Sequence, residues 1–463
     1  MWQVRKPSKG AAAAAEEKVS SIDEHRLVTV GDAGAFNKRD KHTDLKVELH
    51  QRLLDLINLQ ALEKMSREQI EAEVGDIVEE ELGKQNHALN HAERKQLVGD
   101  VLDELLGLGP LEPLLKDPTI TDILVNGHSS VFVERYGQLE DSPVRFKDEK
   151  HLLRIIQKIV SAVGRRIDES SPMVDARLAD GSRVNAVVPP LAIDGCLLSI
   201  RKFARVPISL DRLVEIGSVP LQVAEVLRAI VASRRNVLIS GGTGSGKTTL
   251  LNAMSAFIDD HERIVTIEDS AELQLQQRHV VRLETRPPNI EGKGEVAQRD
   301  LVKNALRMRP DRIILGEVRA GEAFDMLQAM NTGHDGSMTT VHANTARDAL
   351  SRVEQMIGMS GVDIPPRSAR AQIASALNIV IQVARLSDGR RKLVGLAELT
   401  GMEGEIITMQ DIFRFRQTGV SGEGLVQGRF EATGIRPRFL DHAMAHGVTL
   451  SADLFRPDAK FES

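Results

Sequence analysis

One stretch of this chain constrains its fold more than any other. A short apolar run, Val237-Leu238-Ile239, leads into Gly241-Gly242-Thr243-Gly244-Ser245-Gly246-Lys247-Thr248-Thr249, and Leu250, Leu251, Ala253 and Met254 follow at helical spacing. This is a strand, a glycine-rich turn and a helix in immediate succession. The glycines let successive backbone N–H groups curl around an anion, and the helix N-terminus adds the positive end of its dipole. In that arrangement Lys247 neutralises β and γ phosphates, and the Thr248 hydroxyl is placed to ligate Mg²⁺. A glycine turn with an incidental lysine is the bland alternative. It leaves unexplained why so much backbone entropy is given up on ordering the loop, a cost that a bound ligand offsets.

Further carboxylates end later strands. Arg312-Ile313-Ile314-Leu315-Gly316-Glu317 is an apolar strand ending in an acid, the position from which a carboxylate faces the γ phosphate in such folds. Glycine stands where many such enzymes place an aspartate, so Glu317 is the candidate to position or deprotonate the attacking water. It could instead cap the helix expected near Gly321. Ile264-Val265-Thr266-Ile267 runs into Glu268-Asp269, with Glu272 beyond, gathering acids at a strand's carboxyl end. These serve either Mg²⁺ and water, with Glu268 the candidate metal ligand, or an ordinary helix N-terminal charge preference. His334 and His342 flank the short strand Met338-Thr339-Thr340; neither has metal-ligand spacing, but neutral imidazoles there could sense phosphate or bond a carboxylate. Arg307, Arg309, Arg312 and Arg319 crowd one stretch, and Arg177, Arg183 and Arg201 lie further upstream. Guanidinium groups stabilise phosphoryl-transfer charge, sometimes from a neighbouring subunit, although surface salt bridges would also account for any one of them.

The remaining sequence sets the domains. Residues 1–43 read as a flexible tail of Ala repeats and scattered charge. Residues 44–107 read as a helical bundle, with apolar residues recurring at three and four from Leu45, Ile70 and Leu97, and capping boxes at Ser66–Gln69 and Asn90–Glu93. Residues 108–204 form an α+β domain, 205–212 a linker, 213–445 the α/β domain with the glycine loop, and 446–463 a C-terminal tail. Strands alternate with helices in the α/β domain, the signature of a parallel sheet, and Ile379 to Val394 read as a closing hairpin around Ser387-Asp388-Gly389. Composition narrows function. The net charge of −6, with 12 Phe, one Trp and one Tyr among 463 residues, opposes a nucleic-acid motor with a base-stacking platform. The lone Cys196 excludes an intrachain disulfide or a cysteine-rich zinc site. Nowhere do about 18 apolar residues run unbroken, so any membrane association is expected to be peripheral or through a partner.

The order of these motifs, the glycine loop, Glu268-Asp269-x-x-Glu272, Gly316-Glu317 and Gly333-His334 to His342, resembles that of the type II/IV secretion ATPases. There they are the Walker A, Asp box, atypical Walker B and His box. Within that family the chain is most similar to the tight-adherence (Flp, type IVc) pilus branch, CpaF/TadA. The resemblance is carried by the runs Asp117–Gly127, Asp168–Arg177, Thr285–Gly294 and Leu306–Arg312 and covers about residues 45–445. It implies a RecA-like P-loop NTPase domain preceded by a smaller α+β domain and a helical bundle. The implied activity is ATP hydrolysis with Mg²⁺ by a homohexameric ring on the cytoplasmic face of the bacterial inner membrane. Such a ring works on integral inner-membrane pilus platform proteins, and through them on pilin, with no nucleic acid as partner. Nucleotide would lie between the middle and P-loop domains. Ala320 stands where the branch usually has glycine, and the zinc insert of the general secretion ATPases is missing.

Overall fold

The computed structural model describes residues 67–84, 90–135, 137–203, 207–288, 293–457 and 459–461. The expected tail, the helix around Leu45 to Leu56 and the Ser66 end of the first capping box lie outside these residues. The chain divides into two units, Met1–Lys202 and Phe203–Ser463.

In the first unit the helices Arg67–Lys84 and His91–Leu105 precede a six-stranded sheet. The second helix starts with the expected capping box: Asn90 Oδ1 accepts from Glu93 N–H, and Glu93 Oε2 from Asn90 N–H, each at 2.9 Å. The pair satisfies two donors that a helix start otherwise leaves orphaned, a contribution of about 1 kcal/mol. The strands are β1 (Ile120–Asn126), β2 (Val131–Arg135), β3 (Gln138–Asp141), β4 (Met173–Arg177), β5 (Arg183–Val187) and β6 (Leu197–Arg201), in the order β3-β2-β1-β6-β5-β4, all antiparallel. Along β5 and β6 alternate residues are buried, Val184, Ala186, Leu198 and Ile200. They share one core with Leu152, Ile155, Ile156 and Ile159 of the helix Glu149–Ala162. One sheet face is thus dry, and the other carries Arg183, Asn185, Ser199 and Arg201. Across the dry core, His151 Nε2 meets Glu104 Oε2 at 3.0 Å, both side chains buried, which ties the helix His91–Leu105 to the sheet-covering helix.

The second unit is built on ten strands. Six are parallel: β7 (Val237–Ser240), β8 (Ile264–Glu268), β9 (Val280–Glu284), β10 (Arg312–Val318), β11 (Met338–Val341) and β12 (Ile379–Arg385), in the order β9-β8-β10-β11-β7-β12. Helices cover both faces, so β7, β8 and β11 are buried at every residue rather than at alternate ones. Two apolar cores, one per face, hold the layers together. From β12 the sheet turns antiparallel through β13 (Arg391–Glu403), β14 (Ile406–Val420), β15 (Val426–Ala432) and β16 (Lys460–Phe461).

Two boundaries differ from the sequence reading. A helix, Leu210–Glu215, starts inside the expected linker, because Ser209 Oγ accepts from Arg212 N–H at 3.1 Å and caps it. The expected C-terminal tail contributes β16, which pairs with β15, and a turn, Ala452–Phe455. Phe455 and Phe461 are buried against Phe413, with ring centroids 5.6 and 5.9 Å away. Two isolated rings anchor this segment, too sparse a pattern to register as a period.

Candidate functional site

The carboxyl ends of β7, β8, β10 and β11 lie along one edge of the parallel sheet, the edge at which open α/β sheets bind ligands. From β7 the chain enters the glycine loop, and the helix Lys247–Ser255 leaves it. Gly241 has no room for a side chain: a Cβ would stand 2.6 Å from Val383 O and 2.5 Å from Ser245 Oγ. Gly244 (φ 67°) and Gly246 (φ 94°) occupy the left-handed region that only glycine adopts cheaply. Gly246 begins the helix with no side chain capping it, so the first helical N–H groups remain available to an anion. Gly242, Thr243 and Gly244 form the open part of the loop, Ser245 is buried, and Thr248 and Thr249 stand half-buried in the first helical turn.

Lys247 folds back over the loop, its Nζ donating to Gly241 O and Gly242 O at 3.0 Å each. Burial lowers its pKa, and the like charge of Arg319 adds to this, while Glu317 opposes it. Glu317 Oε1 lies 4.0 Å from Lys247 Nζ. The other Glu317 oxygen accepts from Arg319 Nε at 2.8 Å and Nη2 at 2.6 Å, and Arg319 Nη1 reaches Asp269 Oδ2 at 3.3 Å. The acid expected at the end of β10 is thus brought to the loop lysine. It does not cap the next helix: Glu322 Oε1 takes the N–H groups of Arg319 and Ala320 at 2.6 and 2.8 Å.

Glu268, at the end of β8, is buried. Its Oε2 accepts from Glu272 N–H at 2.7 Å and Leu273 N–H at 2.9 Å, and its Oε1 has no hydrogen-bond partner among the described residues. Burial raises its pKa, against the pull of those two donors. An orphaned buried carboxylate oxygen suits a hard cation, as does the Thr248 hydroxyl. Among the described residues no three His, Cys, Asp or Glu side chains gather to hold a metal. Mg²⁺ would therefore complete its shell with phosphate oxygens and water.

The two histidines separate. His342 follows β11 directly and is exposed at the loop edge, where Gly241 N–H donates to Val341 O at 3.3 Å. His334 precedes β11 and so lies at the opposite, amino edge. There its Nδ1 lies 3.1 Å from Ala329 O at the end of the helix Glu322–Asn331. The length of β11, roughly 13 Å at the usual rise, stands between them.

The arginines also divide. Arg312 is 1% exposed, forks onto both oxygens of Glu262 at 2.7 Å each, and donates to Val231 O and Gly336 O. It is a structural clamp, whereas Arg307 and Arg309 are exposed. Arg177, Arg183 and Arg201 lie in the first unit, not the one that carries the glycine loop. They are direct cross-strand neighbours on β4, β5 and β6, a row closed by Asp122 Oδ1, 2.9 Å from Arg201 Nε. Arg391 escaped the sequence reading. Its Nε donates to Gly244 O at 2.8 Å from 147 residues away, and the only trace in sequence is the basic run Arg390-Arg391-Lys392 after a tight turn.

A parallel sheet with an uncapped, glycine-started helix behind its first central strand defines a RecA-like phosphate-binding α/β fold. The chain belongs to the type II/IV secretion system protein family, whose profile matches residues 104–431. A putative conjugal transfer protein of Mycobacterium tuberculosis is 43% identical over 310 residues, spanning 65% of this chain and 87% of that protein. The conjugal transfer protein TrbB of Rhizobium radiobacter is 34% identical over 281 residues, 60% of this chain and 83% of its own. Among solved structures, the VirB11 ATPase from the Brucella suis type IV secretion system, in complex with sulphate, is 28% identical with a TM-score of 0.34, covering 62% of this chain and 94% of that one.

Proposed function

We propose that this chain is an ATP-hydrolysing motor that powers assembly of pilin into a tight-adherence (Flp, type IVc) pilus. The observation that carries the ATPase reading is the Glu317 carboxylate 4.0 Å from the Lys247 ammonium beside an uncapped glycine loop. Lys247 exchanges the Gly241 and Gly242 carbonyls for β and γ phosphate oxygens, and the N–H groups from Gly242 to Thr249 bind the phosphate chain. Glu317 orients a water in line with the γ phosphate and takes its proton as the bond to the β-γ bridging oxygen breaks, leaving ADP and phosphate. Thr248 and Glu268 would hold Mg²⁺, which would offset the charge spreading over the transferred group. Asp269 and Glu272 complete the acidic rim, and His342 bonds substrate or a neighbouring carboxylate. The row of Arg177, Arg183 and Arg201 offers positive charge to a phosphate held by a neighbouring subunit.

The pilus branch is supported by the runs Asp117–Gly127, Asp168–Arg177 and Thr285–Gly294. The same likeness supports a homohexamer on the cytoplasmic face of the inner membrane. Among the described residues no helix is long and apolar enough to cross a membrane. The likeness to the pilus branch also supports integral-membrane platform proteins as the partners that take up the motor's force. The similarity to conjugal transfer proteins favours a second reading, a motor for a conjugation-type secretion apparatus. Deleting the gene and complementing with wild type or Lys247→Ala separates the two. Pili that return only with wild type support the proposal; intact pili with lost plasmid transfer would replace it by the second reading.

A further inference from the structure

The phosphate loop leans on a second support besides β7 and its own helix. Strand β12 pairs in parallel with β7 up to Gln382 opposite Ser240, then continues through Val383 to Arg385 beside the loop. Val383 O closes the space at Gly241, where a Cβ would stand 2.6 Å away. Strand β13 returns with Arg391 opposite Arg385. From there Arg391 Nε donates to Gly244 O at 2.8 Å, and its methylenes lie along Gly246, 3.7 Å from where a Cβ would stand. The hairpin is fixed from behind. The Asp388 carboxylate accepts from Arg390 N–H at 3.0 Å, Arg390 Nε at 2.7 Å and Val426 N–H at 2.7 Å, which fastens the turn to β15.

Resting on the nucleotide-site reading above, we propose that Arg391 is a positioning residue for nucleotide binding, holding the Gly244 carbonyl so that the loop's N–H groups face the phosphates. A trans peptide points its C=O and N–H in opposite directions. Fixing Gly244 O on the hairpin side therefore turns the Ser245 N–H to the loop interior, where its one partner is Gly242 O at a long 3.4 Å. That N–H is thus poised to exchange a weak partner for a phosphate oxygen. Gly244 has no Cβ to resist a peptide flip, so the side chain that most directly opposes the flip comes from another element. A donor fixed in this way serves ground state and transition state alike, so its loss shows in affinity and KM rather than in kcat.

The test compares wild type, Arg391→Ala, Arg391→Met and Arg391→Lys as full chains, measuring ADP affinity and the ATP turnover curve. Arg391→Lys keeps the charge and shows how much of the loss is charge alone. Arg391→Met keeps the packing along Gly246 and removes the guanidinium, its donor and its charge together, so it decides the matter where Arg391→Ala fails to fold. Both are expected to weaken ADP binding and raise KM about tenfold with kcat changed less than about threefold, and Arg391→Lys to recover part of the loss. ADP affinity and KM equal to wild type in folded Arg391→Met would overturn the proposal, as would a fall in kcat with KM unchanged. Wild type that binds no ADP would instead overturn the nucleotide-site reading itself.

Discussion

Gly316 carries no side chain because Glu268 fills the space that one would take: a Cβ on Gly316 would lie 3.0 Å from Glu268 Cγ. The two residues lie near the carboxyl ends of neighbouring parallel strands, with Leu315 paired to Ile267 just before them. Where many nucleotide enzymes of this kind carry an acid on the strand equivalent to β10, this chain brings one from β8 into the same place. Its buried Oε1 has no hydrogen-bond partner among the described residues. In the proposed mechanism Glu268 and Glu317 divide two tasks, cation and water, between two strands.

Gly316→Ala tests that division. At 3.0 Å the added methyl forces Glu268 to shift by a few tenths of an ångström, and the donors on Oε2 resist the move. The variant should fold, melt a few degrees lower and lose about tenfold in kcat, measured by phosphate release and thermal melting. Wild-type kcat would show that the contact does not position Glu268.

Arg312 and Glu262 make a forked pair with almost no exposure on the arginine side. Removing Arg312 leaves Glu262 only the longer Arg234 Nη1 contact at 3.5 Å, so Arg312→Ala should cost about 3 kcal/mol in urea unfolding. Arg307→Ala, at an exposed neighbour, should stay within about 0.5 kcal/mol.

Acid should loosen the β12–β13 hairpin. Burial alone would raise the Asp388 pKa, but the Arg390 side chain and the N–H groups of Val426 and Arg390 outweigh it and hold it at about 2, against 3.8 for the free carboxyl. A carboxyl depressed in the folded state contributes stability that is complete above the unfolded value and lost as pH falls from about 4 toward 2. Asp388→Asn should lower stability at pH 7 by ~1–2 kcal/mol and flatten the fall between pH 4 and 2, followed by denaturant titration at each pH. An unchanged pH profile in the variant would remove Asp388 as its source.

The glycine loop and the acid ending β10 were legible in sequence because both are local: strand, turn and helix follow one another, and an apolar run announces where its last residue points. The β12–β13 hairpin was legible for the same reason, through Ser387-Asp388-Gly389. What sequence did not reveal depends on which strands become neighbours. Glu268 and Gly316 meet because β8 lies beside β10, and Arg391 reaches Gly244 because β12 lies beside β7. His334 and His342 flank β11 as their positions in sequence imply, one at each end of the strand. Arg312 and Arg319 look alike in sequence, yet one enters the sheet's buried amino end and the other leaves its carboxyl end.

The central claim is that Glu317 prepares the attacking water while Lys247 and the loop hold the phosphates. Its most direct test is phosphate release by purified Glu317→Gln, with ADP affinity measured on the same preparation. Turnover is expected to fall about a hundredfold or more while ADP affinity stays within about threefold of wild type, because the amide keeps the shape and loses the base. Near wild-type turnover by the folded variant would contradict it.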